Sequence, residues 1–196
     1  MGTYSADRQP GVDKFVLQAA KRWIKARMVV AGPQYPDHIV WPENVERIPH
    51  LAPDEHRSFY ARQRFTLNVT RAEMRVAGYS PSVRLFEAAA CGTPIISDTW
   101  RGLKDFFAPG SEILTARSAN DILEYLQDIP EAERKEIGMN ARRRVLQQHT
   151  AMHRAAELEG YVAEVLGQKR ASADPIPAAN VGATSGFPVC EVRRPS

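Results

Sequence analysis

The sequence has few of the features that mark disulfide-rich, metal-binding, membrane-spanning or secreted proteins. Only two cysteines occur among 196 residues, Cys91 and Cys190, and their separation indicates neither a disulfide framework nor a cysteine metal site. No stretch approaches the roughly 20 apolar residues of a membrane span. The N-terminus also lacks the basic and apolar regions of a signal peptide. We therefore expect a soluble protein that is not secreted, in the reducing setting of the cytoplasm.

Several motifs of enzymes and nucleotide-binding proteins are also absent. The chain has no Gly-x-Gly-x-x-Gly, no Gly-x4-Gly-Lys-Ser/Thr, no His-Glu-x-x-His and no Gly-x-Ser-x-Gly. Asp98 has no second acid two residues away, so no Asp-x-Asp metal element is present. His149 and His153 are four residues apart, a spacing that more often lies on a surface than binds a metal. We expect no metal site and no required cofactor.

The composition is that of an ordinary globular protein. Hydrophobic residues make up 43% of the chain and charged residues 25%, with a net charge of +3. So small a charge does not demand nucleic acid or an anionic membrane as a partner. Periodic apolar patterns extend to about residue 167, and residues 168–196 are rich in Ala, Ser, Pro and Gly. We expect one domain over 1–167 and a disordered tail over 168–196.

Apolar periodicity predicts helices that alternate with short buried strands. The predicted strands are residues 27–32, 45–48, 65–70, 95–96 and 112–115. The predicted helices are residues 12–26, 52–60, 81–91, 103–107, 119–129, 131–149 and 151–166. This alternation predicts an α/β fold, a Rossmann-like parallel sheet with helices on both faces.

The stretch from Ser80 to Asp98 combines a helix start, one helical acid and a buried strand. Ser80 is a candidate N-cap, Pro81 suits the first helical position, and Gly92 is expected to end the helix. A short apolar run follows and predicts a strand of a parallel sheet. Helix, turn and strand would form half of a βαβ unit.

The polar residues of this helix allow two interpretations. Arg84 and Glu87 are three residues apart and share a flank, while Val83, Phe86 and Ala90 form the predicted apolar stripe. The two charged residues could be a solvated surface pair. Alternatively, the first-turn amides and the helix dipole could hold a phosphate while Glu87 binds a ribose.

The pattern Ser-x-Arg-x-Phe-Glu-Ala-x-Ala-Cys-Gly-Thr-Pro, residues 82–94, resembles the donor-binding signature of GT-B glycosyltransferases. With the Gly-Leu pair at 102–103 and the Phe pair at 106–107, it most resembles the CgeB-like members of that superfamily. The resemblance extends from Gly2 to about Tyr161 and is most specific in its middle third. It implies a glycosyltransferase, hexosyltransferase-like, that uses a nucleotide-diphosphate sugar as donor.

The resemblance also implies roles for individual residues. Glu87 would hold the ribose, and Arg8, Ser82 and Arg84 would face the diphosphate. Independently of the resemblance, Asn68 and Arg71 stand at the carboxyl end of a predicted strand, where open α/β sheets bind ligands, and could reach phosphate or sugar hydroxyls. The adjacent Thr70 could equally cap the next helix. The remaining candidates are loop residues: Gly2 and Ser5 in the first turn, Tyr79 and Ser80 before the signature helix, and His50 where the base would lie. No catalytic residue is assigned.

Two departures from the family pattern limit what we expect of the chain. Many retaining members carry a second Glu eight residues before the ribose acid, and Tyr79 stands at that position. Only Met1 stands where a buried strand of about five residues would precede the Gly-rich turn. We therefore expect the chain to be the C-terminal, donor-binding half of a GT-B enzyme that lacks its N-terminal partner domain. The alternative is a non-catalytic nucleotide-binding or interaction module derived from such an enzyme.

Overall fold

A computed structural model describes residues 1–167. These residues fall into two compact units, one of Met1–His153 and a second that begins at Arg154. The disordered tail predicted over 168–196 lies outside the described residues, as does Cys190. The single-domain prediction for 1–167 stays a prediction.

The first unit is built on five short strands that pair only in parallel. The strands are β1 (Met28–Ala31), β2 (Val45–Ile48), β3 (Thr66–Asn68), β4 (Ile95–Ser97) and β5 (Leu114–Thr115). β1 pairs with β2 in one sheet, and the order β3-β4-β5 forms a second sheet. The predicted α/β class with parallel strands is confirmed.

Helices connect these strands, as the periodicity predicts. They are α1 (Gln9–Val12), a π-helical segment (Asp13–Leu17), α2 (Gln18–Arg22), a 3-10 turn (Pro53–Glu55), α3 (His56–Ala61), α4 (Ala72–Ala77), α5 (Val83–Ala90), α6 (Leu103–Phe106), α7 (Ala119–Asp128), α8 (Glu131–Gln148) and α9 (Ala151–Val165). Within residues 1–167, no helix is both long and apolar enough to cross a membrane. The part of α9 in the second unit contains an ion pair between Arg154 and Glu157 at 2.8 Å.

Helix α5 buries a different stripe from the one predicted. Leu85, Ala88 and Ala89 are fully buried, whereas Val83 is 67% exposed. The buried set follows the i, i+3, i+4 spacing, and it faces α8 as well as the sheet. Close approach of α8 depends on Gly138, since a Cβ there would lie 2.2 Å from the Gly92 carbonyl oxygen.

The start of α5 is also later than predicted. The helix begins at Val83 with Ser82 as its N-cap residue, so Ser80 is not the cap and Pro81 precedes the helix. The reason lies upstream, where Gly78 and Tyr79 have φ values of 67° and 49°. The Tyr79 amide donates to the Arg101 carbonyl at 2.7 Å and fixes this turn to the loop after β4.

The first helical run and the segment after β3 also differ from the prediction. The first helical run ends at Arg22, four residues early, and contains the π-helical segment. Helix α4 is not among the predicted helices, and its N-cap residue is Arg71, so Thr70, for which a helix cap was one of two interpretations, is not the cap. The Thr70 hydroxyl instead donates to a carboxylate oxygen of Asp98 at 2.7 Å.

Candidate functional site

Several of the predicted site residues lie where strands of both sheets end. Strand β1 ends at Ala31 and is followed by Gly32, and β3 ends at Asn68. The first loop of the chain reaches the same edge, because the Gly2 amide donates to the Ala31 carbonyl at 2.7 Å. In open α/β sheets this carboxyl edge is where ligands bind.

Two arginines converge on Gly2. A Cβ built at Gly2 would lie 2.4 Å from Nη2 of Arg84 and 2.8 Å from Nη1 of Arg8. At Gly32 a Cβ would lie 2.1 Å from the Gly2 carbonyl oxygen. The absence of side chains at these two glycines therefore allows two loops and two guanidinium groups to meet at one point.

Neither guanidinium group is neutralised by the surrounding protein. Arg84 donates to Oδ1 of Asn68 at 3.1 Å and to the Ser82 hydroxyl at 3.4 Å, and Arg8 donates to the Thr3 carbonyl at 3.1 Å. The Nε atoms of both arginines are buried without a hydrogen-bond partner in the described structure. Within residues 1–167, neither forms an ion pair with a carboxylate. The arrangement offers donors and positive charge to an anion.

Burial and mutual repulsion govern the electrostatics here. Burial, with the nearby Arg8, lowers the pKa of the Arg84 guanidinium. Burial also lowers the pKa of Arg8. The Met1 amino group lies beside both, and burial and then Arg84 lower its pKa to about 4. An anionic ligand would relieve this excess of positive charge.

A buried polar network holds Asn68 in position. Its Nδ2 donates to Oγ of Ser97 at 3.0 Å and to Oγ1 of Thr70 at 3.1 Å, which leaves Oδ1 to accept from Arg84. Thr70 in turn donates to Asp98 through its amide and hydroxyl. Burial raises the pKa of the Asp98 carboxyl. Through Oδ1 of Asn68, this network fixes the orientation of the Arg84 side chain.

Ser5 and Arg71 form a separate cluster around Asp7. Nε of Arg71 lies 3.3 Å from a carboxylate oxygen of Asp7, the Ser5 hydroxyl donates to the same carboxylate, and the Ala72 amide donates to it at 2.9 Å. The cluster ties the first loop to the start of α4. The charge of Arg71 is thereby partly neutralised, in contrast to Arg84.

Glu87 does not pair with Arg84, so the surface-pair interpretation is wrong. The buried Tyr60 phenol donates to Oε2 of Glu87 at 3.2 Å, and Nδ1 of His56 lies 3.8 Å from Oε1. The Glu87 side chain has 35% of its surface exposed to solvent. Burial, with the adjacent Glu87, raises the pKa of Tyr60. Sequence reasoning missed Tyr60, which is 27 residues from Glu87 and stands in an unremarkable helical pattern.

The remaining candidates lie in loops at the same edge. The Tyr79 ring packs against Gly102, where a Cβ would lie 2.4 Å from ring atom Cδ1, and the Arg101 guanidinium lies 5.2 Å from the ring centroid. Ser80 is half-buried in the turn before α5. His50 is exposed after β2, and the structure shows no contact that joins it to the arginine pair. No group of three or more metal-binding side chains occurs within residues 1–167.

Solved structures place this fold in a known class. The chain is similar to sucrose-phosphate synthase from Thermosynechococcus elongatus, with a TM-score of 0.62, 18% identity and 79% of this chain covered. It is similar to HepE from Anabaena in complex with UDP-glucose, with a TM-score of 0.62, 14% identity and 86% covered. A third is AviGT4, a glycosyltransferase of avilamycin A biosynthesis, with a TM-score of 0.52, 17% identity and 85% covered. The fold is that of the GT-B glycosyltransferases.

The family is identified by a match to the amino-acid sequence itself. A profile of the glycosyl transferase-like family matches residues 8–160, and the chain belongs to that family. A search of curated proteins found no match. The chain spans 42% of the sucrose-phosphate synthase, 48% of HepE and 51% of AviGT4.

Proposed function

We propose that this chain is the donor-binding half of a CgeB-like glycosyltransferase. It would bind a nucleotide-diphosphate sugar, and the enzyme would transfer the sugar, in the manner of a hexosyltransferase, to an acceptor held by an N-terminal GT-B domain. The observation that carries the proposal is the pair of partly buried, unneutralised guanidinium groups of Arg8 and Arg84 at the carboxyl edge, whose Nε atoms are buried without a hydrogen-bond partner in the described structure. A cytoplasmic location, expected from the isolated cysteines, is part of the same proposal.

The arginine pair is suited to a diphosphate. Each guanidinium is a planar fork that can donate two parallel hydrogen bonds to phosphate oxygens, and two forks at one point match two adjacent phosphoryl groups. At the start of α5, the Leu85 amide already donates to the Ser82 carbonyl at 3.0 Å, whereas the amides of Val83 and Arg84 have no carbonyl one turn earlier to accept from them. Together with the helix dipole they add to the attraction for negative charge.

Glu87 is suited to the ribose. It lies one turn after Arg84 on α5, and its carboxylate is partly exposed. Tyr60 donates to one of its oxygens, which restrains the side chain and leaves acceptor capacity for ribose hydroxyls. With this spacing, Arg84 and Glu87 would contact the diphosphate and the ribose of one donor side by side.

In transfer, negative charge develops on the departing diphosphate as the bond to the sugar breaks. Arg8 and Arg84 would stabilise that charge electrostatically, without moving, because Asn68 and the Gly2 turn already position them. The acceptor and the group that activates it would come from the partner domain. We therefore expect the isolated chain to bind donor without transferring sugar.

Calorimetric titration with uridine, guanosine and thymidine diphosphates tests the proposal and identifies the base. At least one should bind, and failure of all three with a folded chain would reject donor binding. Glu87→Ala should weaken binding by about 1.5 to 3 kcal/mol, the contribution of a charged hydrogen bond. The 2′,3′-dideoxy nucleotide is the matched control, because it lacks the ribose hydroxyls. Its affinity should be the same for the native chain and for Glu87→Ala. If Glu87→Ala lost the same affinity for the ribonucleotide and for the dideoxy nucleotide, the ribose assignment would be rejected.

A second candidate function is a non-catalytic nucleotide-binding or interaction module. The observation in its favour is Tyr79, which stands in place of a second Glu and packs its ring on Gly102. A version of the chain joined to a partner domain distinguishes the two functions. Sugar transfer or donor hydrolysis by that version supports the enzyme, and nucleotide binding with neither supports the module.

A further inference from the structure

Tyr35 stands in the loop after β1, at the same edge as the arginine pair. It lines one cleft together with Arg8 and Arg84. Burial lowers the pKa of Arg8, and an ionised Tyr35 phenol would oppose this shift more strongly than Asp7 does. The same phenol is among the groups that oppose the lowering of the Arg84 pKa by burial and by Arg8. Tyr35 therefore lies within electrostatic range of both guanidinium groups.

Three contacts hold the ring of Tyr35. The guanidinium of Arg47, on β2, lies 4.1 Å from the ring centroid. Tyr4 and Trp41 pack edge-to-face against the ring, at centroid distances of 5.6 and 5.4 Å. Arg47 is fixed in turn, because it donates to the Gly32 carbonyl at 2.9 Å and lies 4.7 Å from the Trp41 centroid. The ring of Tyr35 is thereby held in one orientation.

The backbone before Tyr35 is also constrained. Gln34 has a φ of 67°, which is uncommon for a residue with a side chain. The Tyr4 amide donates to the Pro33 carbonyl at 3.0 Å, so the first loop of the chain holds this turn. A strained conformation persists only where the surrounding structure maintains it, and such positions cluster at ligand-binding sites. The strain therefore agrees with a functional role for the residue that follows it.

The hydroxyl of Tyr35 has no acceptor in the protein. Within residues 1–167 it makes no hydrogen bond, whereas the phenols of Tyr60 and Tyr125 donate to Glu87 and to the Thr115 carbonyl. A phenol is an uncharged donor at neutral pH. Beside two guanidinium groups it can therefore add a hydrogen bond to an anion without adding to the repulsion between the positive charges.

We propose that Tyr35 is a third donor to the anion held by Arg8 and Arg84, and that its hydroxyl donates to a phosphate oxygen of the nucleoside diphosphate. This inference rests on the proposed function and adds a residue that sequence reasoning missed. The contacts with Arg47, Tyr4 and Trp41 position the ring before the ligand arrives, so little side-chain freedom is lost on binding.

Tyr35→Phe tests the proposal, because it removes the hydroxyl and keeps the ring. Calorimetry on the full chain should show an affinity for the nucleoside diphosphate that is about 10-fold lower or more, since the lost hydrogen bond is to a charged group. The affinity for inorganic pyrophosphate should fall by a similar factor, and that for the parent nucleoside should not change. Tyr4→Phe is the matched control, because Tyr4 packs on the same ring and is not among the residues that line the cleft. It should retain the native affinity for all three ligands.

The outcomes separate this inference from the proposed function. Native affinity in Tyr35→Phe, with weaker binding by Arg84→Met, would overturn the role of Tyr35 and leave donor binding in place. Equal losses in Tyr35→Phe and Tyr4→Phe would also overturn it, since the packing of the rings would then be responsible. If the native chain bound pyrophosphate but no nucleoside diphosphate, donor binding would fail, and the pyrophosphate affinity of Tyr35→Phe would still decide the role of Tyr35. Binding of neither ligand would reject both. The two variants should melt within about 3 °C of the native chain.

Discussion

Replacement of Arg84 by methionine should separate ligand binding from stability. The two terminal nitrogens of Arg84 and Arg8 lie 2.4 and 2.8 Å from one common point, so they are no more than about 5 Å apart. At an effective dielectric constant of about 20, two unit charges at that distance repel by roughly 3 kcal/mol. The variant removes this repulsion but also loses hydrogen bonds to Asn68 and Ser82, each of about 1 kcal/mol.

The net effect on the empty protein is therefore small or favourable. We expect the free energy of unfolding of Arg84→Met, from urea denaturation, to be unchanged or raised by up to about 2 kcal/mol. Affinity for the nucleoside diphosphate should fall about 10- to 150-fold, since a hydrogen bond to a charged group contributes about 1.5 to 3 kcal/mol. Calorimetry on the same samples measures the affinity.

Arg134→Met is the matched control. Arg134 forms an ion pair with Glu131 and donates to the Arg64 carbonyl at 2.8 Å, on a helix outside the arginine pair. That variant should lose about 1 kcal/mol of stability and retain its affinity. Loss of more than about 2 kcal/mol of stability by Arg84→Met, with affinity retained, would show that Arg84 is a structural residue.

Three further predictions test other parts of the structure. Tyr60→Phe should weaken ribonucleotide binding about threefold and leave the affinity for the dideoxy nucleotide unchanged, because the phenol acts only by restraining Glu87; calorimetry with both ligands checks this. Gly32→Ala should destabilise the chain by about 3 kcal/mol or more, since its Cβ would lie 2.1 Å from the Gly2 carbonyl oxygen. Thermal melting checks this, and an unchanged melting temperature would show that the two loops do not pack this closely. The pKa of Asp98 is raised in the folded state, so the native protein loses stability as pH rises through that pKa. The stability of Asp98→Asn relative to the native chain should therefore increase between pH 4 and pH 7 in urea titrations, and a constant difference would contradict the buried carboxylate.

Local chemistry was enough to predict most of the elements. β2 occupies 45–48 as predicted, and the long helices α7 and α8 match to within one residue, because apolar periodicity over many residues leaves few alternatives. The start of α5 could not be predicted. Two residues with positive φ and a hydrogen bond to Arg101 delay the helix, and neither is a property of the local pattern.

The candidate site also has a part that the sequence predicts and a part that it does not. Arg84 and Glu87 stand in one short motif, and the resemblance assigned them contacts that their own spacing left open. Their surroundings depend on long-range contacts: Tyr60 is 27 residues from Glu87, and Arg71 is 64 residues from Asp7. Such contacts follow from the packed fold, so a single sequence does not reveal them.

The central claim is that Arg8 and Arg84 form a diphosphate site. Its most direct test compares, by calorimetry on the full chain, the affinity of a nucleoside diphosphate with that of the same nucleoside. The diphosphate should bind at least about 100-fold more tightly, because each guanidinium contributes about 1.5 to 3 kcal/mol to the phosphate contacts alone. Equal affinities for the two ligands would contradict the claim.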